Sequence, residues 1–113
     1  AQKDMNTVVE NAQTTQVLAG DRSIAVAKGS HFTQVSVGNL QDTVSKGNTT
    51  HQTPEGVHTI EAKELWIKVG GESGTKIHMT GDLIEIYKGS SVIHIDDGHI
   101  VVNATRTDIN PDS

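Results

Sequence analysis

The chain has 113 residues, of which 34% are hydrophobic and 3% aromatic, and it contains no cysteine and carries a net charge of −5. So few large side chains make it difficult for a chain of this length to bury a core alone, and disulfides cannot compensate. The acidic balance argues against a nucleic-acid partner. Because the first residue is Ala1, we expect a fragment of a longer protein.

Turn residues recur every nine positions in the first half of the chain. Glycine readily adopts a positive φ, and asparagine is the residue that best replaces it there. A sharp turn at a fixed spacing is typical of a repeat protein built from short, similar units. We therefore predict a turn at each of these positions: Asn11, Gly20, Gly29, Gly38, Gly47 and Gly56.

A β-branched residue lies three positions before each of these turns, at Val8, Val17, Val26, Val35, Val44 and Thr53. Such residues favour extended strands, whereas a glycine in every repeat would destabilise a helix. Each repeat is therefore predicted to be a short strand followed by a bend. The five valines are predicted to face the core, and the repeat region is assigned to residues 1–56.

From residue 57 to residue 113 the strict glycine period ends and apolar residues alternate with polar ones. Alternation with a period of two predicts strands with one buried face. Turns are predicted at residues 70–74, 81–82, 89–90 and 96–98. The inward-facing residues predicted for the core of this section are Ile67, Ile84, Ile86, Ile93, Ile95 and Val102.

Catalytic and metal-binding chemistry is not indicated by any motif. His78 and His94 each lie between two apolar residues, so the alternation turns them toward the outer surface. The nine-residue repeat lacks the paired glycines and phased aspartates of calcium-binding β-rolls. No spacing selects an acid and base pair among the carboxylates, and no nucleophile or phosphate-loop motif is present. No enzyme activity, metal site or cofactor is predicted.

The first nine residues, AQKDMNTVV, resemble the passage that leads into the needle of VgrG proteins in type VI secretion systems. The β-branched repeat, the Ile-x-Ile strands and the segment Thr107–Asn110 are similar to the rest of that needle and to the central spike of contractile phage tails. The resemblance spans the whole chain. One departure is the repeat of nine residues, since eight is common in these needles, and this departure affects the expected strand register.

The resemblance implies an all-β, intertwined homotrimer, a triple-stranded β-helix in the form of a triangular β-prism. The implied function is a rigid cell-puncturing spike that the type VI system secretes together with its tube protein and effectors. It also implies a PAAR-repeat tip protein as a partner, and we place its contact at Ile109 and Asn110.

Two other classes of function remain open. A phage-tail spike or a trimeric fibre or adhesin would use the same kind of shaft. An enzyme acting on polysaccharide through a single-chain β-helix would need aromatic platforms for sugars, and Phe32, Trp66 and Tyr87 are far apart in the sequence. A monomeric mass in solution would exclude the trimer.

Overall fold

The computed structural model describes residues 4–110, and these form an all-β protein with no helix. Accordingly, no helix in this part of the chain is long and apolar enough to cross a membrane. The chain divides into two compact units, one ending at Asn48 and the other beginning at Thr49. The strands all belong to the second unit and are β1 (Glu64–Val69), β2 (Thr75–Thr80), β3 (Ile84–Lys88), β4 (Ser91–Asp96) and β5 (His99–Asn103).

The described part of the first unit has no helix or strand and has bends at the glycine positions. No backbone hydrogen bond joins any two of its described residues. The bends have left-handed glycines, with positive φ at Gly20, Gly29, Gly38 and Gly47. An L-residue rarely adopts this conformation, which explains why glycine recurs there.

Asn11 and Gly56 do not share this left-handed conformation. At Gly56 the N–H donates to the carbonyl oxygen of Thr53 over 3.4 Å. This closes a turn in which Pro54 is the second residue and glycine the fourth, the positions that each favours in a type I turn. Pro54 therefore ends the series with a different kind of turn. Asn11 lies in a bend but has no positive φ.

The second unit contains a five-stranded antiparallel sheet in which the strand order follows the sequence, β1-β2-β3-β4-β5. Each strand pairs with the next one along the chain. The predicted all-β class is confirmed. The alternation of apolar and polar residues gives the sheet one apolar face and one largely polar face, because successive side chains point to opposite sides of a strand.

Tight turns fix the register of this sheet. Gly89 and Ser90 connect β3 to β4, with Lys88 opposite Ser91, and Gly89 has a φ of 59°. Glycine at the first central position is typical of a type II′ hairpin turn. Between β1 and β2, a Cβ on Gly74 would collide with the backbone of Val69. Glycine is therefore required there by the close approach of the chain.

Candidate functional site

The apolar face of the sheet consists of two continuous rows that cross all five strands. In each row, every residue is the direct cross-strand partner of the next. Cross-strand aliphatic pairs of this kind stabilise a sheet. One row is Leu65, Met79, Ile84, Ile95 and Ile100, and the other is Ile67, Ile77, Ile86, Ile93 and Val102.

The described chain covers these rows only in part. No residue among those described is buried, and the side chains of Ile67, Ile86 and Val102 are exposed. Soluble monomers rarely present a contiguous apolar surface of this kind, and where one occurs it usually marks an interaction site. The apolar face is therefore a candidate interface.

The valines predicted for the core of the repeat region are also exposed in the single chain: Val8, Val17, Val26, Val35 and Val44. Of the six core residues predicted in the sheet, all lie on the apolar face, and all but Ile95 are exposed. Ile109 and Asn110, the predicted tip contacts, lie at a bend after β5. The structure brings the sheet residues together into one face, and Ile109 remains 83% exposed.

The opposite face carries a row of alternating carboxylates and imidazoles, here called the histidine–carboxylate row. It is formed because His78 on β2, Glu85 on β3 and His94 on β4 are consecutive cross-strand partners. Glu64 of β1 extends the row at one end, and Asp96 of β4 extends it at the other. Their side chains hydrogen-bond in one continuous line.

The distances in this row are similar from one end to the other. His78 Nε2 lies 3.1 Å from Glu64 Oε1, and His78 Nδ1 lies 3.4 Å from Glu85 Oε1. The other oxygen of Glu85, Oε2, lies 3.3 Å from His94 Nδ1, and His94 Nε2 lies 3.2 Å from Asp96 Oδ2. Each of these histidines therefore has a carboxylate at both ring nitrogens.

These contacts shift the titration of three groups. Hydrogen bonds to Glu85 and then to Asp96 raise the pKa of His94. Hydrogen bonds from His94 and then from His78 lower the pKa of Glu85. The pKa of Glu64 is also lowered, first by a hydrogen bond from Trp66 and then by one from His78. In each case the charged form is favoured by an oppositely charged or hydrogen-bonding neighbour.

Trp66 covers the β1 end of the row. Its indole stacks on the His78 ring with centroids 3.9 Å apart and planes 11° apart, and its Nε1–H donates to Glu64 Oε1 over 2.7 Å. The Lys68 ammonium lies 5.1 Å from the indole ring on its own strand. The stack leaves the His78 side chain only 16% exposed.

The row does not form a metal centre. Among the described residues, no group of three or more His, Asp and Glu side chains has the arrangement that a metal ion requires. The geometry explains this, because the two imidazoles contact different oxygens of Glu85. The donors are therefore spread along a line, whereas a tetrahedral or octahedral site needs them around one point.

His78 and His94 lie on the face opposite the aliphatic row that contains Ile77 and Ile93, as the sequence alternation indicates. The sequence analysis missed that Glu64, Glu85 and Asp96 belong together with them. The signal was present in the two-residue turn at Gly89–Ser90, because a hairpin of that length places Glu85 opposite His94.

No protein-family model, curated protein or solved structure matches the chain.

Proposed function

We propose that this chain forms, with two identical copies, a triple-stranded β-helical needle that serves as the cell-puncturing spike of a type VI secretion system. The observation that carries the proposal is that the described chain is all-β and yet buries none of its residues. Hydrophobic burial is the dominant favourable term in folding. The core of this protein must therefore be made with other chains.

The accessible surface area shows how much more surface the single chain exposes than a folded monomer does. The chain exposes 11553 Å², whereas a folded monomer of this mass exposes about 6,000 Å². The difference is larger than most interfaces between independently folded proteins and falls in the range of obligate assemblies. Transient association with a partner would leave much of this surface in water, so a permanent assembly is the better explanation.

The backbone of the first unit supports intertwining of the copies. Its described residues form no strand within the single chain and make no backbone hydrogen bonds with one another. Free backbone N–H and C=O groups can pair with another strand, and nearly all such groups are paired in folded proteins. A bend after every nine residues would allow three chains to wrap around one axis and to satisfy these groups mutually.

The sheet of the second unit supports the same assembly through its two faces. Three copies of the sheet, arranged as the sides of a triangular prism, would enclose the two aliphatic rows and leave the histidine–carboxylate row outside. Sheets packed face to face lie about 10 Å apart, a gap that side chains of isoleucine and leucine size fill. The predicted core residues Ile67, Ile86 and Ile93 would then meet their symmetry mates.

The role we assign to the needle is mechanical, with no reaction and no cofactor. A closed prism has few exposed edges and resists bending while a contracting sheath drives it through a target envelope. By its resemblance to VgrG proteins, the trimer would carry a PAAR-repeat protein at Ile109 and Asn110 and leave the cell with the tube protein and effectors. The shaft of a phage spike or fibre remains the alternative.

Solution mass and one pair of variants test the trimer. The natural sequence should have a mass three times the 12.1 kDa of one chain. Val35→Asp would bring three carboxylates together in the predicted core, and burying unpaired charges costs several kcal/mol each. We expect it to abolish the trimer, whereas Gln34→Asp, one position away on the opposite side of the strand predicted from the sequence, should preserve it.

Light scattering measures the masses of the wild type and of the two variants directly. A wild-type chain that is folded and monomeric would overturn the proposal. A Val35→Asp variant that retains a heat-stable trimer would show that the predicted register, with Val35 in the core, is wrong. The type VI assignment is tested separately, by the PAAR contact described in the Discussion.

A further inference from the structure

The geometry of the histidine–carboxylate row indicates which protonation state of His94 satisfies its neighbours. A neutral imidazole carries one N–H and one lone pair, whereas a protonated imidazole donates from both nitrogens. Both ring nitrogens of His94 face carboxylate oxygens, at 3.3 Å and 3.2 Å. A neutral His94 would therefore direct a lone pair at an anion, so the row is complete only when this ring is protonated.

We propose that the histidine–carboxylate row is a proton-operated clasp on the outer face of the sheet. When His94 is protonated, it joins Glu85 of β3 to Asp96 of β4 by two charge-assisted hydrogen bonds, and His78 and Glu64 continue the line to β2 and β1. When His94 loses its proton, one of its two bonds is lost together with its positive charge, so the attraction between the ring on β4 and the Glu85 carboxylate on β3 becomes weaker. The inference rests on this sheet alone and does not depend on the proposed trimer or its secretion.

The two charged groups in direct contact with His94 are carboxylates, whose negative charge favours the protonated ring. Glu85 faces it from β3 and Asp96 from its own strand, while its partner on β5 is the uncharged Val101. Beyond these lie His78 on β2, past Glu85, and His99 on β5, whose Nδ1 is 3.7 Å from Asp96 Oδ1. The His94 side chain is 26% exposed, so protons reach it freely.

The sign of the pH dependence follows from the direction of the shifts. The pKa of His94 is raised above 6.5. Its contribution to folding stability is therefore complete below about pH 6.5 and is lost as the pH rises through the raised pKa. The pKa of Glu85 is lowered from 4.5. Its contribution to folding stability is therefore complete above about pH 4.5 and is lost as the pH falls through the lowered pKa. The clasp is therefore strongest in mildly acidic solution, between these limits.

The test uses the full chain in whatever oligomeric state it adopts. The melting temperature of the wild type should be higher at pH 5.5 than at pH 8 by roughly 2–5 °C. His94→Gln keeps a polar side chain but cannot be protonated, and it should remove most of this difference while melting close to wild type at pH 8. His99→Gln is the matched control, because its single contact lies at the end of the row, and it should retain the wild-type difference.

Nuclear magnetic resonance supplies a readout that does not require unfolding. The ring protons of His94 should titrate at a pH above the value for an unfolded histidine, and Glu85→Gln should move that midpoint downward because it removes a carboxylate. A wild-type melting temperature that does not change between the two pH values would overturn the clasp. So would a His94→Gln variant with the full pH difference, or a His94 midpoint unaffected by Glu85→Gln.

Discussion

At the scale of single residues, the glycines of the repeat are required by backbone conformation. Gly38 has a φ of 117° and Gly47 a φ of 121°. A Cβ at Gly38 would lie 3.8 Å from Val35 Cγ1, and one at Gly47 would lie 3.7 Å from Val44 Cγ1, which are ordinary van der Waals distances. Space is therefore available for a side chain, and only the positive φ excludes it.

Replacement of Gly38 by alanine should consequently strain the turn in every copy. The left-handed conformation costs an L-residue roughly 1–2 kcal/mol, so a trimer would lose about three times that amount. Gly81→Ala is the control, because Gly81 has no positive φ and nothing lies within 4 Å of an added Cβ. Its free energy of unfolding should change by less than about 0.5 kcal/mol.

Thermal unfolding of the two variants measures this difference. Equal melting temperatures for Gly38→Ala and Gly81→Ala would show that the bends relax in the assembled protein and that the left-handed glycines carry no strain constraint.

At the scale of elements, each strand of the sheet contributes alternate side chains to the two faces. In the single chain the apolar face is largely exposed, while side chains on the polar face form hydrogen bonds between neighbouring strands. The two adjacent valines of β5 lie on different faces. Val102 belongs to an aliphatic row through its partner Ile93, and Val101 lies on the other face opposite His94.

Lysine substitutions at these two valines should have unequal effects. In the single chain Val102 is 53% exposed and Val101 is 37% exposed, so burial within one copy predicts that Val101→Lys is the more damaging change. Burial of the apolar face between copies predicts the reverse order. We expect Val102→Lys to dissociate or unfold the protein, because it introduces a charge into the shared core, and Val101→Lys to preserve the assembly.

Size-exclusion chromatography with light scattering, together with circular dichroism, distinguishes the two orders. If Val101→Lys is the variant that disrupts the protein, the apolar face does not form the interface between copies.

At the scale of the whole molecule, folding and assembly are one event in the proposed needle. None of the described residues is buried in the single chain, so the proposal predicts a stability that depends on the concentration of protomers. Ile109 is exposed at a bend after β5, where Asn110 has a φ of 51°.

A tip partner is expected to cover Ile109. If the chain functions as a type VI spike, one PAAR-repeat protein should co-purify with each trimer. Ile109→Glu should weaken that capture, because it places a charge in an apolar contact, while leaving the trimer intact. Ile109→Leu is the matched control and should bind as the wild type does.

Undiminished capture by Ile109→Glu, or by a chain lacking residues 104–113, would place the contact elsewhere. A trimer that captures no PAAR protein would favour the phage-spike or fibre alternative while leaving the assembly itself unaffected.

Much of the fold can be predicted from local patterns in the sequence. The period-two alternation in segments such as Ile93–Ile95 predicts the strands of the sheet and the separation of its two faces. The nine-residue spacing predicts bends, and four of them contain left-handed glycines. These features are predictable because φ preferences and side-chain alternation act within a few residues of the chain.

The sequence by itself determined the all-β class, the strand segments and the outward direction of His78 and His94. Only the tertiary structure decided that these histidines share the carboxylates of Glu64, Glu85 and Asp96. Alternation states which face a side chain occupies, whereas contact on that face depends on the register of three successive pairs of strands. A shift of one residue in any of these pairs would exchange the two faces and break the row, so the row exists only once the turns have fixed every pairing at once.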